Sequence, residues 1–236
     1  MNLRIILFDF DGTIADTFSE TVEIFNRFAA KYRYNRIEEH EIEKARHMNA
    51  WQLLNFVKIP KRKVPFLLRK GRSMLYRNLD RIAVFEGIHE ILSWAEEHQI
   101  ICGVVTSNSK KNVERFVSVH QLPNIHFVRS SSRLMGKPRE FHRILKKRRI
   151  AKDEVIYIGD ESRDVDAARE SGIKVISVTW GYNSREALKA HRPDFIADHP
   201  EDLQRIVADL HQAPRQVSHS KAELHEKSTA DKSATR

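Results

Sequence analysis

The apolar positions of the chain form two kinds of pattern, which alternate along most of its length. Short, continuous apolar runs followed by turns are typical of strands that are buried on both faces. Six such runs lie at 3–8, 100–105, 125–128, 155–158, 174–178 and 194–197. Apolar residues at helical spacing fill the segments 88–98, 110–119, 138–149, 165–171 and 200–210. The alternation predicts an α/β fold with a Rossmann-like parallel sheet and helices on both of its faces.

A segment of different character separates the first strand from the rest of the pattern. Between 18 and 82 the apolar residues recur at helical spacing only. The helices predicted there are 18–32, 37–45, 48–57 and 61–78. We therefore expect a core formed by 1–16 and 83–212, with an α-helical insert, 17–82, after the first strand. From 213 to 236, polar residues predominate without apolar periodicity, which predicts a disordered tail.

Composition narrows the class of protein. The chain has 236 residues, of which 41% are hydrophobic and 31% charged, as is typical of a soluble globular protein. Cys102 is the single cysteine, so no disulfide can form within the chain, and this fits a reducing compartment. No signal-peptide pattern is seen, and no apolar run approaches the ~20 residues that a membrane helix requires. We expect a cytoplasmic protein with no membrane partner.

The net charge of +9 is concentrated in two stretches, 58–81 and 129–149. Such stretches could steer a small anionic substrate, or a nucleic acid, towards the protein. They could equally be solvated helix faces. The aromatic pattern and the motifs of nucleic-acid-binding proteins are missing beside them, so nucleic-acid binding is left as an alternative only. The sequence does not define the oligomeric state.

Polar residues follow three of the predicted strands, at the point where each strand ends. In an open α/β sheet, ligands bind outside the carboxyl ends of the strands, so these residues should converge. A lysine at a predicted helix start adds a positive charge. Carboxylates, a hydroxyl group and an ammonium group at one sheet edge are typical of a Mg²⁺-assisted phosphoryl-transfer site. The residues are Asp9 and Asp11, then Thr106, Ser107 and Asn108, then Asp160 with Asp164, and Lys137.

The order of these residues resembles that of the haloacid dehalogenase-like phosphohydrolase superfamily. Its first motif, D-x-D-G-T, is matched by 9–13, and its second, a Thr or Ser after an apolar strand, by Thr106. Its third motif, a Lys, is matched by Lys137, and its fourth, Gly-Asp with a further Asp, by 159–164. The resemblance covers 3–210, and it implies a Rossmann-like core with a helical cap.

The resemblance also implies a covalent mechanism. Asp9 would be the nucleophile and would form an aspartyl-phosphate. Asp11 would protonate the leaving alkoxide and later activate the hydrolytic water. Thr106 and the backbone amide of Ser107 would hold phosphate oxygens, and Lys137 would offset the negative charge of the nucleophile and the phosphoryl group.

Further residues complete the implied site. Gly12 and Asn108 would join the phosphate-binding set. Mg²⁺ would be held by Asp9, by the backbone carbonyl of Asp11 and by Asp160. Asp164 would support the metal directly or by orienting a water.

The resemblance is closest to the phosphoglycolate phosphatase-like branch, through 11–17, 158–164 and 178–184. That branch often has Pro-Gly where this chain has Glu86-Gly87, and often a second Pro just after the Lys-Pro of the third motif. These departures bear on the substrate rather than on the chemistry. The function expected is therefore a Mg²⁺-dependent phosphatase for small anionic phosphate esters, such as 2-phosphoglycolate. A phosphosugar mutase of the same fold and a nucleic-acid-associated phosphatase are the alternatives.

Overall fold

The computed structural model describes residues 3–131 and 136–212. Within these residues, six parallel strands form one sheet in the order β3-β2-β1-β4-β5-β6. The strands are β1 (Ile5–Phe8), β2 (Ile101–Thr106), β3 (Ile125–Ser130), β4 (Val155–Gly159), β5 (Lys174–Val178) and β6 (Phe195–Ala197). The predicted α/β class with a parallel, Rossmann-like sheet is confirmed.

The strand order reverses between β1 and β4, which are neighbours at the centre of the sheet. Phe8, the last residue of β1, is in register with Val104 on one side and Ile158 on the other. The residues that follow β1, β2 and β4 therefore emerge side by side at the carboxyl edge. In an open α/β sheet, this reversal point is where a ligand binds.

Both faces of the sheet are covered, which explains why its strands are continuous apolar runs. All four residues of β1 are buried. Ile6 and Phe8 belong to one hydrophobic cluster, whereas Ile5 and Leu7 belong to the cluster on the opposite face. The helices that follow the insert are α5 (Ile88–Glu97), α6 (Lys110–Val119), α7 (Lys137–Arg148), α8 (Ser162–Ser171), α9 (Arg185–Ala190) and α10 (Pro200–Gln212).

The segment predicted to be a helical insert, 17–82, begins and ends at neighbouring positions in the structure. The backbone N–H of Asp16 donates to the carbonyl of Ala83 (3.0 Å), and that of Phe85 donates to Ile14 (3.0 Å). The two segments that enter and leave the insert are thus hydrogen-bonded to each other, as the two connections of a hinged element would be. The insert contains α1 (Phe18–Tyr32), α2 (Ile42–Arg46), α3 (Ala50–Phe56) and α4 (Val64–Asn78). The exact division of the chain into domains stays a prediction.

Some elements differ from the sequence-based prediction. The helix predicted at 37–45 is a 3₁₀ turn followed by the short α2, and the one predicted from 61 begins as a helix at Val64, with Pro65 in its first turn. Helix α9 was not predicted, because Leu188 is its one buried residue. Within 3–131 and 136–212, no helix is long and apolar enough to cross a membrane. The predicted disordered tail, 213–236, lies outside the described residues.

Candidate active site

Asp9 lies buried immediately after β1, where the strand order reverses. Its Oδ1 accepts a hydrogen bond from the backbone N–H of Phe10 (2.7 Å), and its Oδ2 accepts one from Lys137 Nζ (2.5 Å). The side chain is 2% exposed. Burial raises the pKa of the Asp9 carboxyl, and the nearby ammonium group of Lys137 opposes that rise.

Lys137 reaches Asp9 from the first residue of α7, 128 positions later in the chain. Its ammonium group also donates to the hydroxyl of Tyr157 (2.7 Å) and to the carboxylate of Asp164. Burial alone would lower the pKa of Lys137, but the carboxylates of Asp164 and Asp9 outweigh it, and the pKa is raised. Lys137 is therefore a fixed positive charge with three buried partners.

Asp160 follows β4 and is completely buried. Its Oδ1 accepts from the hydroxyl of Thr13 (2.7 Å), and its Oδ2 accepts from the backbone N–H of Tyr182 (2.8 Å). Two glycines permit this close packing: a Cβ added to Gly12 or to Gly181 would lie 2.1 or 2.3 Å from Asp160 Oδ2. Gly12 also has a φ of +79°, which favours glycine. The structure thus places Gly12, a predicted phosphate-binding residue, against Asp160.

Asp9, Asp160 and Asp164 form an acidic cluster in which one carboxylate oxygen from each lies within 4.8 Å of the others. All three side chains are buried. One ammonium group, from Lys137, contacts two of the three carboxylates. Burial, and then the neighbouring carboxylates Glu161, Asp9 and Asp164, raise the pKa of Asp160 well above its ordinary value. The all-oxygen donor set and the excess of negative charge fit a hard divalent cation such as Mg²⁺.

Asp11 is directed away from that cluster. Both of its carboxylate oxygens lie 3.0 Å from the Nδ2 of Asn108. Burial, with a smaller contribution from the charge of Asp9, raises the pKa of Asp11 to about 7, although the hydrogen bond from Asn108 opposes the rise. A carboxyl group with a pKa near 7 can both donate and accept a proton at neutral pH. A metal contact through the backbone carbonyl of Asp11 remains a prediction.

The loop after β2 brings the predicted phosphate-binding residues to the same edge. The backbone N–H of Asn108 donates to Thr106 Oγ1 (2.9 Å), and this bond closes a tight turn. Asn112 in α6 donates to Asn108 Oδ1 (2.9 Å), so the Asn108 amide is oriented with its Nδ2 towards Asp11. The side chain of Ser107 is partly exposed and lines the adjoining cavity.

Several residues of the site were missed by the sequence analysis. Tyr157 lies within the apolar run of β4, where nothing distinguishes it from a core residue. Thr13 was read only as part of the first motif. Tyr182 and Asn183 were noted only for a family likeness, although their segment follows β5 at the same sheet edge. Arg163 of α8 forms an ion pair with Glu161 and lies 3.5 Å from Ser107 Oγ.

A cavity of about 320 Å³ opens beside Asp11 and Asn108 and extends between the helices of the insert. The insert is joined to the core around this opening. Tyr182 Oη lies 2.7 Å from Thr21 Oγ1 and 3.0 Å from Thr17 Oγ1, and Asn183 Nδ2 donates to the carbonyl of Arg46 (3.0 Å). The candidate site is therefore enclosed by both parts of the chain.

Known proteins align with this chain over most of their length. The phosphoglycolate phosphatase of Synechococcus elongatus is 29% identical over 209 residues, which are 88% of this chain and 99% of that protein. Pyrophosphatase PpaX of Bacillus thuringiensis is 22% identical over 218 residues, covering 90% of this chain and all of that protein. The crystal structure of a predicted phosphatase from Clostridium acetobutylicum superimposes with a TM-score of 0.76 at 19% identity, over 89% of this chain and 100% of that one.

A family model also matches the part of the chain that contains the four motifs. The model describes haloacid dehalogenase-like hydrolases and matches 6–178, which include the ends of β1, β2 and β4 and the start of α7. The resemblance seen in the four motifs is confirmed. The chain belongs to the family of haloacid dehalogenase-like hydrolases.

Proposed function

We propose that this hydrolase is a Mg²⁺-dependent phosphatase of small phosphorylated metabolites and that it acts through an aspartyl-phosphate on Asp9. The observation that supports this most is the position of Asp9, which belongs to the acidic cluster and accepts a hydrogen bond from the ammonium group of Lys137. Asp11 is nearby with a pKa of about 7. The name of the Synechococcus relative makes 2-phosphoglycolate the first substrate to test, and that of PpaX adds pyrophosphate.

In the first step, a carboxylate oxygen of Asp9 attacks phosphorus. The new P–O bond forms as the ester P–O bond breaks, and the electron pair leaves with the ester oxygen. Asp11, in its protonated form, donates a proton to that oxygen and releases the alcohol. The fixed charge of Lys137 stabilises the negative charge that Asp9 shares with the phosphoryl group.

In the second step, Asp11 accepts a proton from a water molecule. The resulting hydroxide attacks phosphorus, the bond to Asp9 breaks, and inorganic phosphate leaves. The phosphate oxygens that do not react would be bound by Thr106, the backbone amide of Ser107, Gly12 and Asn108. Mg²⁺ would supply positive charge to the phosphoryl oxygens. The residues that would hold it are Asp9, the backbone carbonyl of Asp11 and Asp160, with support from Asp164.

The test is release of inorganic phosphate by purified protein, with Mg²⁺ or with EDTA. The substrates are 2-phosphoglycolate, pyrophosphate and a set of simple phosphate monoesters. We expect turnover that requires Mg²⁺ and falls by at least ~10³-fold in Asp9→Asn, because the amide cannot attack phosphorus. An Asp9→Asn variant that folds normally and keeps most of the activity would exclude the covalent route.

The same assay addresses the mutase alternative, and a separate titration with DNA or RNA addresses the nucleic-acid alternative. A mutase would require a sugar bisphosphate and would release little phosphate from other esters. A nucleic-acid-associated enzyme would bind DNA or RNA at ~0.15 M salt, with an affinity that falls steeply as salt is added. We expect neither result.

A further inference from the structure

The cavity beside Asp11 continues well beyond the space that a phosphoryl group needs. It reaches from the loop after β2 into the interior of the helical insert and has a volume of about 320 Å³. An apolar cavity of ~150 Å³ can hold a benzene molecule. A cavity twice that size, opening on the proposed acid Asp11, could hold on the order of ten carbon atoms.

The walls of this cavity within the insert are mostly hydrocarbon, apart from the side chains of Arg46 and Arg72. Aliphatic and aromatic side chains come from three helices of the insert, α1, α3 and α4. Among them are Phe25, Phe28, Leu53, Leu67 and Leu75. These side chains are buried or partly buried. They pack against one another in one hydrophobic cluster and also line the cavity, so a space is left within apolar packing that in protein interiors is normally close to the density of organic crystals.

The polar lining belongs to the end of the cavity near the sheet. Asp11, Asn108 and Tyr182 are at that end, and Arg46 is held there by bonds to the carbonyls of Thr179 (3.3 Å) and Gly181 (2.9 Å). A substrate would therefore meet polar groups around its phosphate and hydrocarbon around the rest of its leaving group. A leaving group as small as glycolate would leave the apolar part unfilled, although Arg72, which also lines the cavity near Asp11, would offer its carboxylate a positive charge.

A glycine in the middle of α4 borders the cavity. Gly71 lines it, and a Cβ added there would lie 3.8 Å from Ile24 and from Phe28, an ordinary contact distance. Glycine is a poor helix former, and alanine would fit this position without strain. A side chain larger than alanine would extend from this position towards Ile24 and Phe28, which also line the cavity.

We propose that the preferred substrates are phosphate monoesters of apolar alcohols, whose hydrocarbon part occupies the cavity within the insert. This inference rests on the phosphatase function proposed above. The enzyme would recognise the phosphate at the sheet edge and select the alcohol by burial of its hydrocarbon. Each added methylene group should then raise kcat/KM about fourfold, the factor that corresponds to ~0.8 kcal/mol per buried CH₂, until the cavity is full.

The test compares ethyl, butyl, hexyl and octyl phosphate in the presence of Mg²⁺, each below its micellar concentration. We expect kcat/KM to rise with chain length, mainly through a lower KM, because the hydrocarbon contacts are made in both ground and transition states. Calorimetric titration of the Asp9→Asn protein with the same esters should show tighter binding and a more negative heat-capacity change for longer chains.

Gly71→Leu fills part of the cavity and therefore tests whether the hydrocarbon part of the substrate binds there. It should reduce the ratio of kcat/KM for octyl phosphate to that for ethyl phosphate by on the order of tenfold. Gly71→Ala is the matched control and should reduce the ratio much less. Circular dichroism and the thermal midpoint would establish that both variants are folded.

The outcomes separate this inference from the proposed function. If no ester in either assay is hydrolysed, the phosphatase function is wrong. If ethyl phosphate or 2-phosphoglycolate is hydrolysed and kcat/KM stays flat or falls with chain length, the function stands and the apolar leaving group is wrong. If chain length matters equally in wild type and Gly71→Leu, the hydrocarbon binds elsewhere and the assignment of this cavity is overturned.

Discussion

Lys137 shows how one buried charge can serve both stability and catalysis. Its ammonium group contacts the carboxylates of Asp9 and Asp164 and the hydroxyl of Tyr157. Removing one partner of a buried ion pair leaves an uncompensated charge, which typically costs ~3–5 kcal/mol. We therefore expect Lys137→Met to lower the free energy of unfolding by about that amount, as measured by urea denaturation without added metal.

A second substitution controls for the buried charge. Adding Asp164→Asn to Lys137→Met removes one of the two carboxylates that lost their partner, so the double variant should recover part of the stability. Phosphatase activity should stay low in both variants, because the charge that faces Asp9 is missing. If Lys137→Met were as stable as the wild type, the ion pairs would not be formed in solution.

Single residues were predictable from the sequence where the strand ends revealed them. Asp9, Thr106 and Asp160 each follow an apolar run, and the parallel sheet brings such residues to one edge. Tyr157 could not be found in this way, because a side chain within a buried strand carries no sign of its partners. The orientation of Asp11 towards Asn108 depends on rotamers that the sequence does not encode locally.

At the level of elements, two glycines occupy opposite kinds of position. Gly71 lies within α4 with normal helical geometry, and alanine there should stabilise the protein by ~0.5–1 kcal/mol. Gly12 has a φ of +79°, and its added Cβ would lie 2.1 Å from Asp160 Oδ2. Gly12→Ala should therefore destabilise the protein by more than ~1–3 kcal/mol. Chemical denaturation of the two variants under one set of conditions measures both effects, and equal effects would contradict the geometry.

The strands and longer helices were predicted well because each has a strong apolar pattern. Helix α6 and strand β5 have the predicted bounds. The short elements were not predicted well. Helix α9 has six residues and α2 is a short helix preceded by a 3₁₀ turn, so too few apolar positions are present to show a period. The cavity in the insert was also beyond prediction: the same apolar spacing serves helices that pack closely and helices that surround a space.

At the scale of the whole molecule, the insert and the core meet over the acidic cluster. Tyr182 contacts both the insert and the acidic cluster. Its hydroxyl lies within hydrogen-bond distance of Thr17 and Thr21 at the start of the insert, whereas its backbone N–H donates to Asp160. Thr13 contacts Asp160 as well, through its hydroxyl. Substitutions of Tyr182 and Thr13 can therefore distinguish the effect of closing the insert from the effect of binding the metal.

Tyr182→Phe removes the hydroxyl and keeps the backbone bond to Asp160. A net loss of ~0.5–1.5 kcal/mol of hydrogen bonding should raise KM about two- to tenfold by loosening the insert over the substrate, with Mg²⁺ affinity nearly unchanged. Thr13→Val should do the reverse and weaken Mg²⁺ binding by ~10–100-fold, because it removes a bond that orients Asp160. Two measurements distinguish these effects: calorimetric titration gives the Mg²⁺ affinity, and steady-state kinetics at saturating Mg²⁺ give KM. If Tyr182→Phe weakened Mg²⁺ binding as much as Thr13→Val did, closure of the insert and the geometry of the acidic cluster would be one coupled event.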